Sequence, residues 1–217
     1  MGFLITGKNL LLGGRNMPVF DYGQQEVEHL IRRDKKLGEA IKRIGRLERE
    51  VIPDLFTALI NSIVSQQISS KAALTVWNRL QNKLGDINAR TIYEASPDVI
   101  QECGLSIRKV GYMKGIAEAV LQNELDLSAL SHLPDQEIIV QLSQLKGVGV
   151  WTAEMLLIFS LQRPDVVSWG DQGIRRGMMN LYGLNNLGKE QFDSYRKRYS
   201  PYGSVASLYL WEIAREN

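Results

Sequence analysis

Apolar residues recur along this chain at helical intervals, and few stretches alternate with a period of two. Leu55, Leu59 and Ile63, with Phe56, Ile60 and Val64 beside them, form an i, i+4, i+8 stripe. That pattern predicts a helix with a buried face running to about Ser65. The period continues through Ala73, Val76, Trp77, Leu80 and Leu84, and Gly85 supplies the stop. Ser96 before Pro97 pairs a capping hydroxyl with a proline at the first helical position, and Gly104 closes that short segment. Val110, Met113, Ala117, Val120 and Leu121 mark another helix, and Ile138, Leu142 and Leu145 the next. Two more are expected, one near residues 172–182 ended by Gly183 and one from about 203 to 215. The expected fold class is all-α, with no internal repeat and no low-complexity linker.

Residues 1–17 do not share the pattern. They hold four glycines and no helical period, and Met17 is followed by Pro18. They read either as a flexible N-terminal tail, with Met17 as the natural initiator, or as a short segment packed on the domain. The stretch lacks the basic n-region and small-residue cleavage site of a signal peptide. The longest apolar runs fall far short of the roughly 20 residues that span a bilayer. A soluble intracellular chain without a membrane partner is the expectation.

Composition narrows the chemistry. The 217 residues are 44% hydrophobic and 23% charged, enough for one or two domains with a real core. Lys and Arg number 26 against 24 Asp and Glu, a net charge of +2. A polyanion would have to be held by the placement of charge, not by its sum. Arg32, Arg33, Lys35, Lys36, Lys42, Arg43, Arg46 and Arg49 are interleaved with acidic residues and read as a solvated helical face. Arg196-Lys197-Arg198 is a second basic group that could touch a phosphate. Cys103 is the only cysteine, and His29 and His132 the only histidines. Internal disulfides, a cluster held by four cysteines and a paired Cys/His zinc site are excluded.

The stretch Leu145-Lys146-Gly147-Val148-Gly149-Val150-Trp151-Thr152-Ala153 is the most informative. One amphipathic helix ends, a Gly-Val-Gly turn follows and a second helix opens at once. Glycines permit positive φ and leave the backbone uncovered. The unpaired N–H groups opening the second helix make an anion site that fits a DNA phosphate. An ordinary tight corner between helices would read the same way.

Here the residues carry a resemblance. Leu-x-Gly-Val-Gly-x-x-Thr-Ala resembles the hairpin of the helix-hairpin-helix DNA glycosylase superfamily. Asp171, with Ile174 at +3 and Arg176 at +5, resembles that superfamily's catalytic segment. Pro201–Trp211 is similar to the C-terminal helix of the 3-methyladenine DNA glycosylase II branch. Ser62–Ser69 resembles the same branch's DNA-wedge loop. The match runs in order from about Asp54 to the end of the chain. The amino-terminal β domain of some members has no counterpart in the few residues before Asp54.

The resemblance implies two interlocked helical lobes with a cleft between them. Residues 55–163 would form one lobe, and residues 18–54 with 164–217 the other. It implies a monomer that acts on double-stranded DNA with damaged bases in the cytoplasm or nucleoid. The implied reaction is hydrolysis of the N-glycosidic bond of a flipped, alkylated purine such as 3-methyladenine or 7-methylguanine, leaving an abasic site. Another damaged purine, or a DNA-binding module that cuts nothing, are the rival readings.

Each implied site residue also has a plainer reading. Asp171 would stabilise positive charge on the deoxyribose and orient water; it also sits where an Asp caps a helix. Trp151, Trp211, Trp169 and Gln172 would line the base pocket, where an indole attracts a cationic purine; tryptophans are also ordinary core residues. Gln67, then Ile68, would fill the gap left by the flipped base, or merely end a helix. Gly147, Val148, Gly149 and Thr152 would hold the DNA backbone. Carbonyls of Ser143, Leu145 and Val148 would hold Na+ or K+, with no cofactor in the chemistry. Trp151 stands where lyase members carry a lysine, and an indole cannot form a Schiff base, which implies a monofunctional enzyme.

Overall fold

Polar caps and glycine stops divide the chain into helices, as shown by a computed structural model that describes residues 18–216. The tail expected over residues 1–17 lies outside them. Thirteen helices occur among the described residues: α1 Gln24–Arg33, α2 Lys35–Ile44, α3 Leu55–Ser65, α4 Ser70–Leu84, α5 Ala89–Glu94, α6 Pro97–Gln101, α7 Ile107–Leu121, α8 Leu127–Leu130, α9 Asp135–Ser143, α10 Val150–Phe159, α11 Gln172–Tyr182, α12 Lys189–Tyr199 and α13 Gly203–Ile213. Asp34, Asp54, Ser69, Asn88, Ser96, Ser106, Asp126 and Asp171 each accept a backbone N–H at a helix start. A cap of this kind is worth about 0.5–2 kcal/mol. The all-α expectation holds, and α3, α4, α6, α7, α11 and α13 lie where the pattern placed them.

Three features differ from expectation. The basic stretch after Gln24 is two helices, because Asp34 leaves the helical conformation and caps α2. The last helix stops at Ile213. Helix α12 went unpredicted: only Phe192 and Tyr199 are buried on it, too few apolar positions to set a period.

The described residues form two compact units, one of residues 19–49 and 162–216, the other of Pro18 and residues 50–161. In the first, α13 is the core element, buried from Gly203 through Trp211. Helix α11 crosses it closely at Gly177, where an added Cβ would stand 2.0 Å from the Leu210 carbonyl oxygen. Buried Asp34 ties α1 and α2 to the rest, accepting from the Tyr182 hydroxyl at 2.7 Å and the Arg198 guanidinium at 3.2 Å.

The second unit holds α3 through α10. Helix α3 is buried from Leu55 to Val64 apart from the half-buried Thr57, and α10 from Thr152 to Phe159 apart from the half-buried Glu154. Trp77 and Leu80 of α4, Met113 of α7 and Ile138 and Leu142 of α9 complete this core. Each such aliphatic side chain contributes about 1.5–3 kcal/mol.

Candidate active site and DNA-binding hairpin

Asp171 is the N-cap of α11 and is 6% exposed. Its Oδ1 accepts the Ile174 N–H at 2.8 Å and the Trp211 Nε1–H at 3.0 Å. Trp211, on α13, is 7% exposed. One oxygen is thus gripped by the start of one helix and the side of another, and the positive end of α11 faces the carboxylate. Gly173 makes room for this: a Cβ there would meet Trp211 Cδ1 at 2.8 Å and Asp171 Oδ1 at 3.0 Å.

The segment leading into Asp171 is pinned by α13. Ser204 Oγ accepts the Val166 N–H at 3.0 Å, and Ser207 Oγ donates to the Val166 carbonyl at 2.9 Å. Asp165 Oδ1 accepts the Gly203 N–H at 3.0 Å. These buried serines and Asp165 are positioning residues that the sequence reading missed. Their signal was two small polar residues one helical turn apart on an otherwise apolar helix.

Of the expected pocket residues, the structure joins Trp211 directly to Asp171. Gln172 is exposed at the first position of α11. Trp169 is half-buried, edge-on to Phe192 at 5.1 Å, with the Arg175 guanidinium 4.9 Å over its ring. At least one face of this indole is therefore covered by a cation. Trp151 is half-buried at the second position of α10.

The hairpin in the second unit runs from the end of α9 to the start of α10. Gly147 has φ +88°, and its missing Cβ leaves room for the Tyr112 ring, whose Cδ2 would otherwise lie 2.4 Å away. Gly149 is extended, at φ −99°, and caps α10 without a side chain. The space where its Cβ would stand is open. So Gly147 is glycine for conformation and packing, whereas Gly149 borders open space at the start of α10. The Val148 N–H is taken by the Leu145 carbonyl at 3.0 Å. The Val148 and Thr152 side chains are buried, so these residues face a ligand only through their backbones.

The loop expected to act as the wedge lies between α3 and α4. Gln67 and Ile68 are exposed. Gln67 adopts φ +59°, a left-handed conformation costing a non-glycine residue about 1–2 kcal/mol. Lys109 Nζ donates to the Val64 and Gln66 carbonyls at 2.9 and 2.6 Å. Burial, and then the nearby Arg108 charge, push the Lys109 pKa down. Gln66 Nε2 donates to the Gly147 carbonyl at 2.8 Å. Sequence reasoning missed Lys109 and Gln66, since neither belongs to an apolar period or a charge cluster.

No group of three His, Cys, Asp or Glu side chains among the described residues is arranged to hold a metal ion. The proposed cation ligands are instead neutral carbonyls. The Ser143 hydroxyl is buried without a hydrogen-bond partner, and an unpartnered neutral oxygen suits a hard cation.

Residues 60–201 match the family described as HhH-GPD superfamily base excision DNA repair protein. The chain belongs to this superfamily. Within it, the chain is similar to DNA-3-methyladenine glycosylase 1 of Schizosaccharomyces pombe, at 33% identity over 74% of this chain and 72% of that protein. An alkylbase DNA glycosidase-like protein of the same yeast is 28% identical over 90% of this chain and 95% of its own length. A DNA-3-methyladenine glycosidase structure from Bacillus halodurans superposes with a TM-score of 0.81 and 35% identity, covering 92% of this chain and 93% of that one. The yeast 3-methyladenine glycosylase in complex with abasic DNA superposes with a TM-score of 0.75 and 31% identity, over 87% and 96% of the two chains.

Proposed function

We propose that this chain is a monofunctional DNA glycosylase that excises alkylated purines, of the 3-methyladenine and 7-methylguanine type, from double-stranded DNA. The observation that carries the proposal is the buried Asp171 carboxylate, held by Ile174 N–H and Trp211 Nε1–H. The superfamily and the relatives' names supply the reaction class. A fixed, desolvated negative charge stabilises the positive charge that develops on the deoxyribose as the glycosidic bond lengthens. The bonding pair leaves with the base, so an already cationic alkylated purine departs neutral and needs no strong acid. Water oriented by Asp171 adds to C1′ and gives up a proton, leaving an abasic site.

The remaining residues serve access. The Gly149 backbone and the positive opening of α10 bind phosphate. A monovalent cation on the Ser143, Leu145 and Val148 carbonyls would supply positive charge to the same contact. Gln67, backed by Ile68, fills the space of the extruded nucleotide. Trp151, half-buried, offers indole surface to the cationic base, worth about 0.5–2 kcal/mol, and Trp211 serves through its N–H on Asp171. With an indole at position 151, no amine is present there to form a Schiff base with the sugar, and the strand stays intact.

The test is base release from duplexes carrying 7-methylguanine or 3-methyladenine, with wild type and Asp171→Asn, and strand analysis before and after alkali. Wild type is expected to release base with breaks only after alkali. Asp171→Asn is expected to bind DNA but turn over about 10²–10³-fold more slowly or worse. Breaks without alkali would overturn the monofunctional reading. DNA binding without release of either base would move the assignment to another lesion or to a binding module.

A further inference from the structure

Gln66 is bonded in two directions. Its main-chain carbonyl accepts from Lys109 Nζ, and its side-chain amide donates to the Gly147 carbonyl at the hairpin turn. Lys109 also caps the Val64 carbonyl near the end of α3. One turn along α7 from Lys109, the Tyr112 ring fills the place of the Gly147 Cβ. Helix α7 thus carries, three residues apart and on one face, one side chain seated on the wedge loop and another on the hairpin turn. Gln66 closes the ring between loop and turn. The next residue, Gln67, is the one held in the left-handed conformation.

A half-buried ammonium spent on two neutral carbonyls is a costly way to end a helix. It makes sense as a strut that keeps a strained loop in one shape. We propose that Lys109 and Gln66 form a latch coupling the DNA-binding hairpin to the wedge loop and presetting Gln67 for insertion. On this view Lys109 is a positioning residue that acts through Gln66 and Gln67 and itself touches no DNA. Its role in extrusion rests on the glycosylase reading above; the latch itself does not. A preset wedge spares the enzyme the ordering of a loop during extrusion, so the latch matters most where the base is hardest to extrude. Bases in mismatches leave the stack more easily than paired ones.

Two measurements test this. The first is hydrogen–deuterium exchange of the free full-length protein, wild type against Gln66→Ala and Lys109→Met. Faster exchange is expected both in residues 66–69 and at the hairpin turn, 147–149, some eighty positions away. Change confined to 66–69 would overturn the coupling, whatever the enzyme's substrate. The second is single-turnover release of 7-methylguanine from a duplex, with the lesion either correctly paired or mismatched. Lys109→Met is expected to slow the paired substrate by about tenfold while slowing the mismatched one far less, and the double variant should lose no more than the worse single one. Lys109→Arg, which keeps the cation, should restore most of the rate. Equal losses on both substrates, or multiplying losses in the double variant, would overturn the positioning role. If wild type releases no 7-methylguanine from either duplex, that substrate assignment fails, while the exchange result still decides the latch.

Discussion

Trp211 has two functions that a single substitution separates. Its ring is packed in the core of α13, and its N–H holds Asp171 Oδ1. In Trp211→Phe most of the apolar area remains but the donor is lost. One hydrogen bond to a charged acceptor is worth about 1.5–3 kcal/mol, so turnover should fall about 10–100-fold if that bond orients the carboxylate. DNA affinity should be unchanged, because no phosphate contact is altered. Single-turnover kinetics beside a binding titration makes the check; equal losses in rate and affinity would show that the ring, not its N–H, matters. Gly177 is a residue of another kind, with no chemistry and no space. A Cβ at 2.0 Å from the Leu210 carbonyl oxygen cannot be absorbed by rotating a side chain. Gly177→Ala should therefore cost about 3 kcal/mol or more through forced separation of α11 and α13, read as a lowered midpoint in urea unfolding. A midpoint unchanged within error would mean the two helices slide apart freely.

At the scale of elements, the hairpin's two glycines have separable duties. Gly147 is left-handed and pressed on Tyr112, whereas Gly149 is extended and borders open space. Gly147→Ala is expected to destabilise the fold, and Gly149→Glu to spare it. The carboxylate at 149 would stand beside the helix opening proposed to receive a phosphate. DNA affinity should then drop by about tenfold or more at low salt, with the thermal midpoint unchanged. A Gly149→Glu protein that binds DNA as wild type does would remove the opening of α10 from the interface. From the sequence alone the two glycines were indistinguishable, since both simply permit a turn. Elements with a continuous apolar stripe or a strong stop, such as α3, α4, α7 and the Asp171-capped α11, were legible for the same reason that they fold. Helix α12 was not, because its register depends on what Phe192 and Tyr199 meet from distant parts of the chain. The candidate site divides likewise. Asp171 and the Gly-Val-Gly turn carry local signals, while the Trp211 donor, the Ser204 and Ser207 pins and the Lys109 strut exist only as long-range contacts.

For the molecule as a whole, the groups that bound its stability in alkali are tyrosines of the 19–49 and 162–216 unit. The hydroxyls of Tyr182 and Tyr199 share a hydrogen bond at 2.7 Å, and Tyr182 also donates to Asp34 at 2.7 Å. Tyr209 donates to the Gly45 carbonyl at 3.0 Å. Burial raises all three pKa values. For Tyr182 the neighbouring Tyr199 and Asp34 raise it further, and for Tyr209 its hydrogen bond to Tyr22 does so. The sign follows from linkage. In the unfolded chain a tyrosine ionises near its ordinary value of about 10, whereas the folded state holds these protons to higher pH. Their contribution is complete below about pH 10 and is lost as pH climbs from there toward the raised folded values. Each independent tyrosine removes about 1.4 kcal/mol per pH unit in that window, although Tyr182 and Tyr199 titrate as a coupled pair. Urea midpoints should accordingly be flat between pH 8 and 9.5 and fall steeply between pH 10 and 11.5. Tyr209→Phe, which removes one ionisable hydroxyl from the set, should lower stability at pH 8 but flatten the alkaline slope. A slope identical to that of wild type would take Tyr209 out of the groups that set the alkaline limit and leave the Tyr182–Tyr199 pair to set it.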